Sequence, residues 1–173
     1  MMASRIIPAL LAALPLAVQA EDGWPRLNIQ ESITVQGTPE QAFAVVSRWD
    51  ALQSWCPAFV STEIRGGGTA VGSVRAVTLN NGPTFTEELL ALDPKALSYR
   101  YRIIESPLPI VDYTSTVKVL EAGGQTHVVW SSSYKRRAKD NPTPEQDDAA
   151  MLKLVGGLYK ACLANARKVI EGR

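Results

Sequence analysis

The segment TPEQDDAAMLKLVGGLYKACLANARKV, Thr143 to Val169, decides how the rest of the chain is read. Thr143 and Pro144 suit the opening of a helix, and Glu145, Asp147 and Asp148 put negative charge at the positive end of a helix dipole. Arg167 and Lys168 put positive charge at the other end. Between them Met151, Val155, Leu158, Cys162, Ala166 and Val169 recur at helical spacing, which predicts one long helix with a single apolar stripe. Gly156-Gly157 in its middle has two readings: packing glycines that the helix tolerates, or a bend that opens room beneath the helix.

Such a stripe needs a broad apolar surface to cover it. Upstream, six stretches of strand character follow Phe59, divided by Gly66-Gly67-Gly68, Asn81-Gly82-Pro83, Asp93-Pro94, Pro107-Leu108-Pro109 and Gly123-Gly124. Turn residues at every boundary, about 12 to 15 residues apart, predict a meander. Tyr99-Arg100-Tyr101-Arg102-Ile103 alternates aromatic and aliphatic groups with cations, the pattern of a sheet with one dry and one wet face. A further strand, Ile29 to Val35, runs into Thr38, Pro39 and Gln41, which suit the N-cap, first turn and capping-box positions of a helix. Ala42, Phe43, Val45, Val46 and Trp49 turn one side of that helix inward, and Leu52 to Pro57 predicts a second short turn or helix. The expected class is α+β: a strongly curved seven-stranded antiparallel sheet wrapped around the long C-terminal helix, two short helices after strand 1, and a hollow between sheet and helix.

Residues 1–20 are expected to stand outside this fold. A basic start ending at Arg5, an apolar stretch from Ile6 to Val18 and the exit Val18-Gln19-Ala20 make the three-part pattern of a secretory leader, with cleavage after Ala20 and one domain over residues 21–173. The stretch is too short to span a bilayer and holds Pro8 and Pro15, so no membrane anchor is expected after cleavage. The mature chain would then carry 17 basic and 17 acidic side chains. A near-neutral surface exerts no long-range pull on polyanions, and the cluster Lys135-Arg136-Arg137 with Lys139 runs straight into Asp140, so nucleic acid is not an expected partner. Export would permit a disulfide between the two cysteines, Cys56 and Cys162; two buried inert thiols are the other reading, and spacing does not choose between them.

Gly72-Ser73-Val74-Arg75, Asn81-Gly82-Pro83, Glu87-Glu88-Leu89-Leu90, Asp93 and Asp112-Tyr113-Thr114-Ser115, in this order, resemble the START-like superfamily of birch pollen allergen, the polyketide cyclase/dehydrase group and the plant abscisic acid receptors. Trp55-Cys56-Pro57, Ser98-Tyr99-Arg100-Tyr101 and Pro107-Leu108-Pro109 are most similar to small periplasmic proteins associated with bacterial methanol dehydrogenase. The resemblance implies a helix-grip fold enclosing a small, partly apolar molecule, and an exported accessory role beside a quinoprotein dehydrogenase or its cytochrome. It further implies that Asn81, Gly82 and Pro83 act as a gate loop and Ser106, Pro107, Leu108 and Pro109 as a latch. Cys56 stands where the hormone receptors hold a lysine that pairs with an acid, so a hormone-like carboxylate is not the implied ligand.

Taken together, the expected cavity residues are Cys56, Arg75, Glu87, Tyr99, Tyr101, Tyr113, Ser115, Ser131, Ser133, Val155, Leu158 and Cys162. Glu87 and Glu88 must point to opposite faces of one strand, so one carboxylate can enter the hollow, where Arg75 could neutralise it. If an enzyme, the chain would be a cyclase or dehydratase using Glu87 and Tyr113 as acid and base. A structural carboxylate bonded to its neighbours is the reading the residues favour. His127 is the only histidine, too little for a Ser-His-Asp or multi-histidine metal site, and no cofactor or metal is expected.

Overall fold

A computed structural model describes residues 23–172. The expected leader over 1–20 and its cleavage site lie outside the described residues.

Alternation along each predicted strand gives the sheet its inner and outer faces. Strand β1 (Leu27–Val35) is followed by α1 (Pro39–Val46), a single 3-10 turn at Leu52–Ser54, and then β2 (Phe59–Gly66), β3 (Val74–Leu79), β4 (Thr84–Asp93), β5 (Ser98–Glu105), β6 (Ile110–Ala122) and β7 (Gln125–Arg136). All seven strands join one antiparallel sheet in the order β1-β7-β6-β5-β4-β3-β2, so the chain meanders from β2 to β7 and returns β1 to the far edge. A 3-10 turn at Pro144–Gln146 leads into α2 (Asp148–Ile170). This is the helix-grip arrangement.

The caps follow the local chemistry. Thr38 accepts from Gln41 N while the Gln41 side chain accepts from Thr38 N, the reciprocal pair expected for α1. At α2 the cap is one turn later than the sequence suggests. Thr143 and Pro144 open the 3-10 turn, and extended Asp147 then caps the helix by accepting from Ala150 N at 2.8 Å.

The buried face of α2 is Met151, Val155, Gly156, Tyr159, Cys162, Leu163 and Ala166. Leu158 is half-buried and Val169 is 41% exposed, so Tyr159 and Leu163 replace two members of the expected stripe. The reason is the drift of a 3.6-residue turn along a helix of 23 residues. Gly156 is a close-approach glycine: a Cβ there would lie 2.7 Å from Ile29 Cδ1 on β1. The helix runs unbroken through Gly157.

Candidate functional site

Strands β3 to β6 bring the polar residues of the interior together. Arg75 on β3 faces Glu87 on β4 across a paired register, and both side chains are buried. Arg75 Nε and Nη2 each reach Glu87 Oε2 at 2.7 Å, and Nη1 donates to the Trp49 carbonyl at 2.8 Å. The guanidinium carbon lies 3.7 Å above the Trp49 ring, a cation–π contact. Burial holds the Glu87 carboxyl above its ordinary value, and the Arg75 charge and hydrogen bonds offset only part of that rise. Glu88, one residue on, points outward and pairs with Arg102 at 2.5 Å.

Deeper in lies a hydroxyl network. Tyr113 OH contacts Tyr159 OH closely, Tyr101 OH reaches Tyr113 OH at 3.4 Å, and Ser115 Oγ reaches Tyr159 OH at 3.3 Å. Trp130 Nε1 donates to Ser115 Oγ at 2.8 Å, and Ser115 donates to the Ser131 carbonyl at 2.7 Å. The Trp130 and Tyr159 rings stack at 4.0 Å, and Trp55 meets Trp130 at 5.4 Å. Burial is the largest cause holding the Tyr101, Tyr113 and Tyr159 phenols well above their ordinary value, so all three are neutral donors and acceptors.

Above this network a small cavity opens between sheet and helix. Leu52, Phe59, Phe85, Ile103, Leu108, Ile110, Val155 and Leu158 form its apolar wall, and Glu87, Tyr101, Tyr113, Trp130 and Tyr159 its polar floor. Its volume is about 30 Å³. That corrects the expected hollow: a pocket enclosing a whole ligand takes roughly 300–1,000 Å³, whereas this one has room for a water-sized group. Aromatic side chains from β5, β6, β7 and α2 fill the space that the curvature creates.

Of the expected cavity residues, Glu87, Tyr101, Tyr113, Val155 and Leu158 line this space, and Leu108 joins them from the latch. Arg75, Tyr99 and Ser115 are buried behind the lining. Cys56 and Cys162 form a disulfide away from the cavity, with Cα atoms 4.2 Å apart, which ties α2 to the segment after the 3-10 turn. Ser131 and Ser133 require correction. They are half-buried on the outer face, where they border a groove with Thr114 and Thr116, and Ser132 takes the inner face. Val128, Trp130 and Tyr134 are all buried, so counting by twos along β7 lands on Ser132.

The two loops at the mouth differ from their expected roles. Asn81, Gly82 and Pro83 are exposed and do not line the cavity. The latch is held down: Arg137 Nη2 donates to the Ser106 and Leu108 carbonyls at 2.9 and 3.1 Å, and Arg137 N donates to the Pro109 carbonyl at 2.7 Å. Arg136 bonds Asp148 at 2.7 Å, so two arginines of the basic cluster are structural ties. His127 sits outside the site, its Nδ1 3.1 Å from Thr34 Oγ1. Among the described residues no group of three or more His, Cys, Asp or Glu side chains is placed to hold a metal ion, and no helix is long and apolar enough to cross a membrane. The expected set left out Leu52, Phe59, Phe85, Ile103, Ile110, Trp130 and Tyr159. Tyr159 alone had a clear signal, lying four residues after Val155 and three before Cys162.

A family model described as polyketide cyclase/dehydrase and lipid transport matches residues 26–171. The chain belongs to that family. Among solved structures, this polyketide cyclase/dehydrase-type domain is similar to the protein XoxI from Bacillus cereus, at 25% identity and a TM-score of 0.73 over 83% of this chain and 95% of that one. It is also similar to a putative uncharacterized protein from Bacillus thuringiensis, at 26% identity and 0.70 over 83% and 98%. Ara h 8.0201 shares the fold at 22% identity and 0.60 over 82% and 98%. No curated protein matches the chain significantly. The family's fold and the XoxI likeness fit a ligand-binding accessory role.

Proposed function

We propose that this is an exported, non-catalytic accessory protein that receives a small, partly apolar molecule at the mouth of its grip and serves a periplasmic quinoprotein dehydrogenase or its cytochrome. The observation that carries the non-catalytic part is the state of Glu87. Its Oε2 is held by two guanidinium N–H groups of Arg75, one from Nε and one from Nη2. A general acid or base has to reach its proton in a substrate pose, and this carboxylate already serves as the partner of Arg75.

Several observations support the binding part. The mouth is apolar, with Phe59, Phe85, Ile103, Leu108 and Leu158 around it, while acceptor oxygens of Glu87 and Tyr101 lie at the floor. In this reading the polar end of the ligand occupies the floor and its body displaces Leu108 and Leu158, both only half-buried. Export is supported by the Cys56–Cys162 disulfide, a bond that persists in oxidising compartments. The dehydrogenase partner rests on family resemblance alone.

Tagged protein recovered from the periplasm of its own organism should carry a small-molecule adduct in native mass spectrometry and bring down a quinoprotein or cytochrome. Recovery of the bare chain with neither would sink the proposal. Glu87→Gln separates it from the cyclase/dehydratase alternative: loss of a measurable turnover would establish the enzyme, and an altered ligand affinity with no turnover in either form is the expected result.

A further inference from the structure

We infer that the cavity floor selects a ligand that donates a hydrogen bond from a neutral hydroxyl, an alcohol or phenol, over a ketone or a carboxylate of the same shape. This deepens the binding reading above and depends on it. The argument starts at a fixed end. The Ser131 carbonyl can only accept, so the Ser115 hydrogen is committed to it at 2.7 Å, and the Trp130 indole N–H already donates to the same Ser115 oxygen at 2.8 Å. Ser115 therefore meets Tyr159, 3.3 Å away, only as an acceptor, and the Tyr159 hydrogen points at Ser115. The close contact between Tyr113 and Tyr159 must then be donated by Tyr113, and the 3.4 Å contact between Tyr101 and Tyr113 by Tyr101. Among these contacts one direction alone makes each a hydrogen bond: Tyr101 to Tyr113 to Tyr159 to Ser115 to the Ser131 carbonyl.

That direction leaves the Tyr101 oxygen with only acceptor capacity. Glu87 adds a second acceptor, because Arg75 engages Oε2 alone and Oε1 takes no hydrogen bond among the described residues. Both residues line the cavity, as do Tyr113, Tyr159 and Trp130, whose hydrogens are all committed elsewhere. The floor is thus an acceptor pole. A ketone would set lone pair against lone pair, and a carboxylate would add repulsion from Glu87. An ammonium group is disfavoured because Arg75 already neutralises that carboxylate from 2.7 Å and repels a second cation.

The test uses the unmodified mature protein and three probes built on one six-membered ring: cyclohexanol, cyclohexanone and cyclohexanecarboxylate, titrated against the methyl resonances of Ile103, Leu108, Ile110 and Leu158. Cyclohexanol should shift these saturably and bind about tenfold tighter than cyclohexanone, the value of one hydrogen bond to an acceptor with a lone pair to spare. Cyclohexanone binding as tightly as cyclohexanol, or cyclohexanecarboxylate binding tightest, overturns the inference and leaves the binding reading standing. No response to any probe overturns both. Tyr101→Phe removes one acceptor and should bring the alcohol and the ketone within about threefold of each other; a preference retained in a variant whose methyl spectrum is otherwise native would overturn the assigned direction. The three-probe comparison needs no variant, so it decides the matter even if Tyr101→Phe does not fold.

Discussion

Glu87 and Glu88 are neighbours on β4, and each is bonded to an arginine on an adjacent strand, Arg75 on β3 and Arg102 on β5. On the inner face the two side chains are 2% and 5% exposed; on the outer face the arginine is 54% and the glutamate 23% exposed. The chemistry is the same and the surroundings are not. Outside, water already solvates both charges, so the pair adds little. Inside, each charge has been stripped of water, and removing one partner strands the other. An ion pair becomes structurally decisive through what surrounds it. For the same reason Glu87 is tied into the packing of the interior, while Glu88 is an ordinary outward-facing group.

The largest expected effect lies on the inner face. Arg75→Ala should destabilise the protein by about 3–5 kcal/mol in chemical denaturation, because Glu87 stays buried without a partner and Trp49 loses its cation. The double variant Arg75→Met with Glu87→Leu should regain most of that loss. If Arg75→Ala costs under about 1 kcal/mol, the two faces are equivalent and the contrast collapses.

Next in size is the disulfide, which ties α2 to the segment after the 3-10 turn. Replacing both Cys56 and Cys162 with Ser should cost about 2–5 kcal/mol, since the closed loop spans 106 residues of sequence. Thermal unfolding of the oxidised and reduced protein gives the same comparison without mutation.

A pH titration probes the dry interior directly. All five tyrosines of the chain are buried, and burial raises each one, Tyr134 up to about 12. Above pH ~10 the unfolded chain loses phenol protons that the folded chain retains, so stability is fully present below that pH. It should fall steadily as pH climbs through the raised folded values. Tyrosinate absorbance should appear together with unfolding; gradual ionisation around pH 10 in a protein that stays folded would contradict a dry interior.

The smallest effect belongs to the outer face. Arg102→Ala should change stability by no more than about 1 kcal/mol, and less in high salt. A loss comparable with that of Arg75→Ala would show that exposure does not govern the two pairs.

Much of this was legible in local sequence. The turn clusters marked every strand boundary, the Thr38-Pro39-Gln41 cap fixed the start of α1, and the alternation around Tyr99 and Tyr101 sorted that strand's faces correctly. Each of these rests on a period or a cap that a few adjacent residues set by themselves. Readings that needed a second element fared differently. Ser131 and Ser133 were assigned by composition when the parity of β7 turned on its buried neighbours, and the stripe of α2 slipped from Leu158 to Tyr159 as the helix turned.

From the sequence alone came the α+β class, the order of the elements and the placing of one of the Glu87-Glu88 pair inside, because hydrophobic period and turn chemistry act over a handful of residues. Tertiary structure decided the Arg75–Glu87 pairing, the bond between Cys56 and Cys162, and above all the size of the interior. Volume is what remains after Trp130, Tyr101, Tyr113 and Tyr159, brought from three strands and a helix, have packed against one another, and no stretch of chain holds that difference within itself.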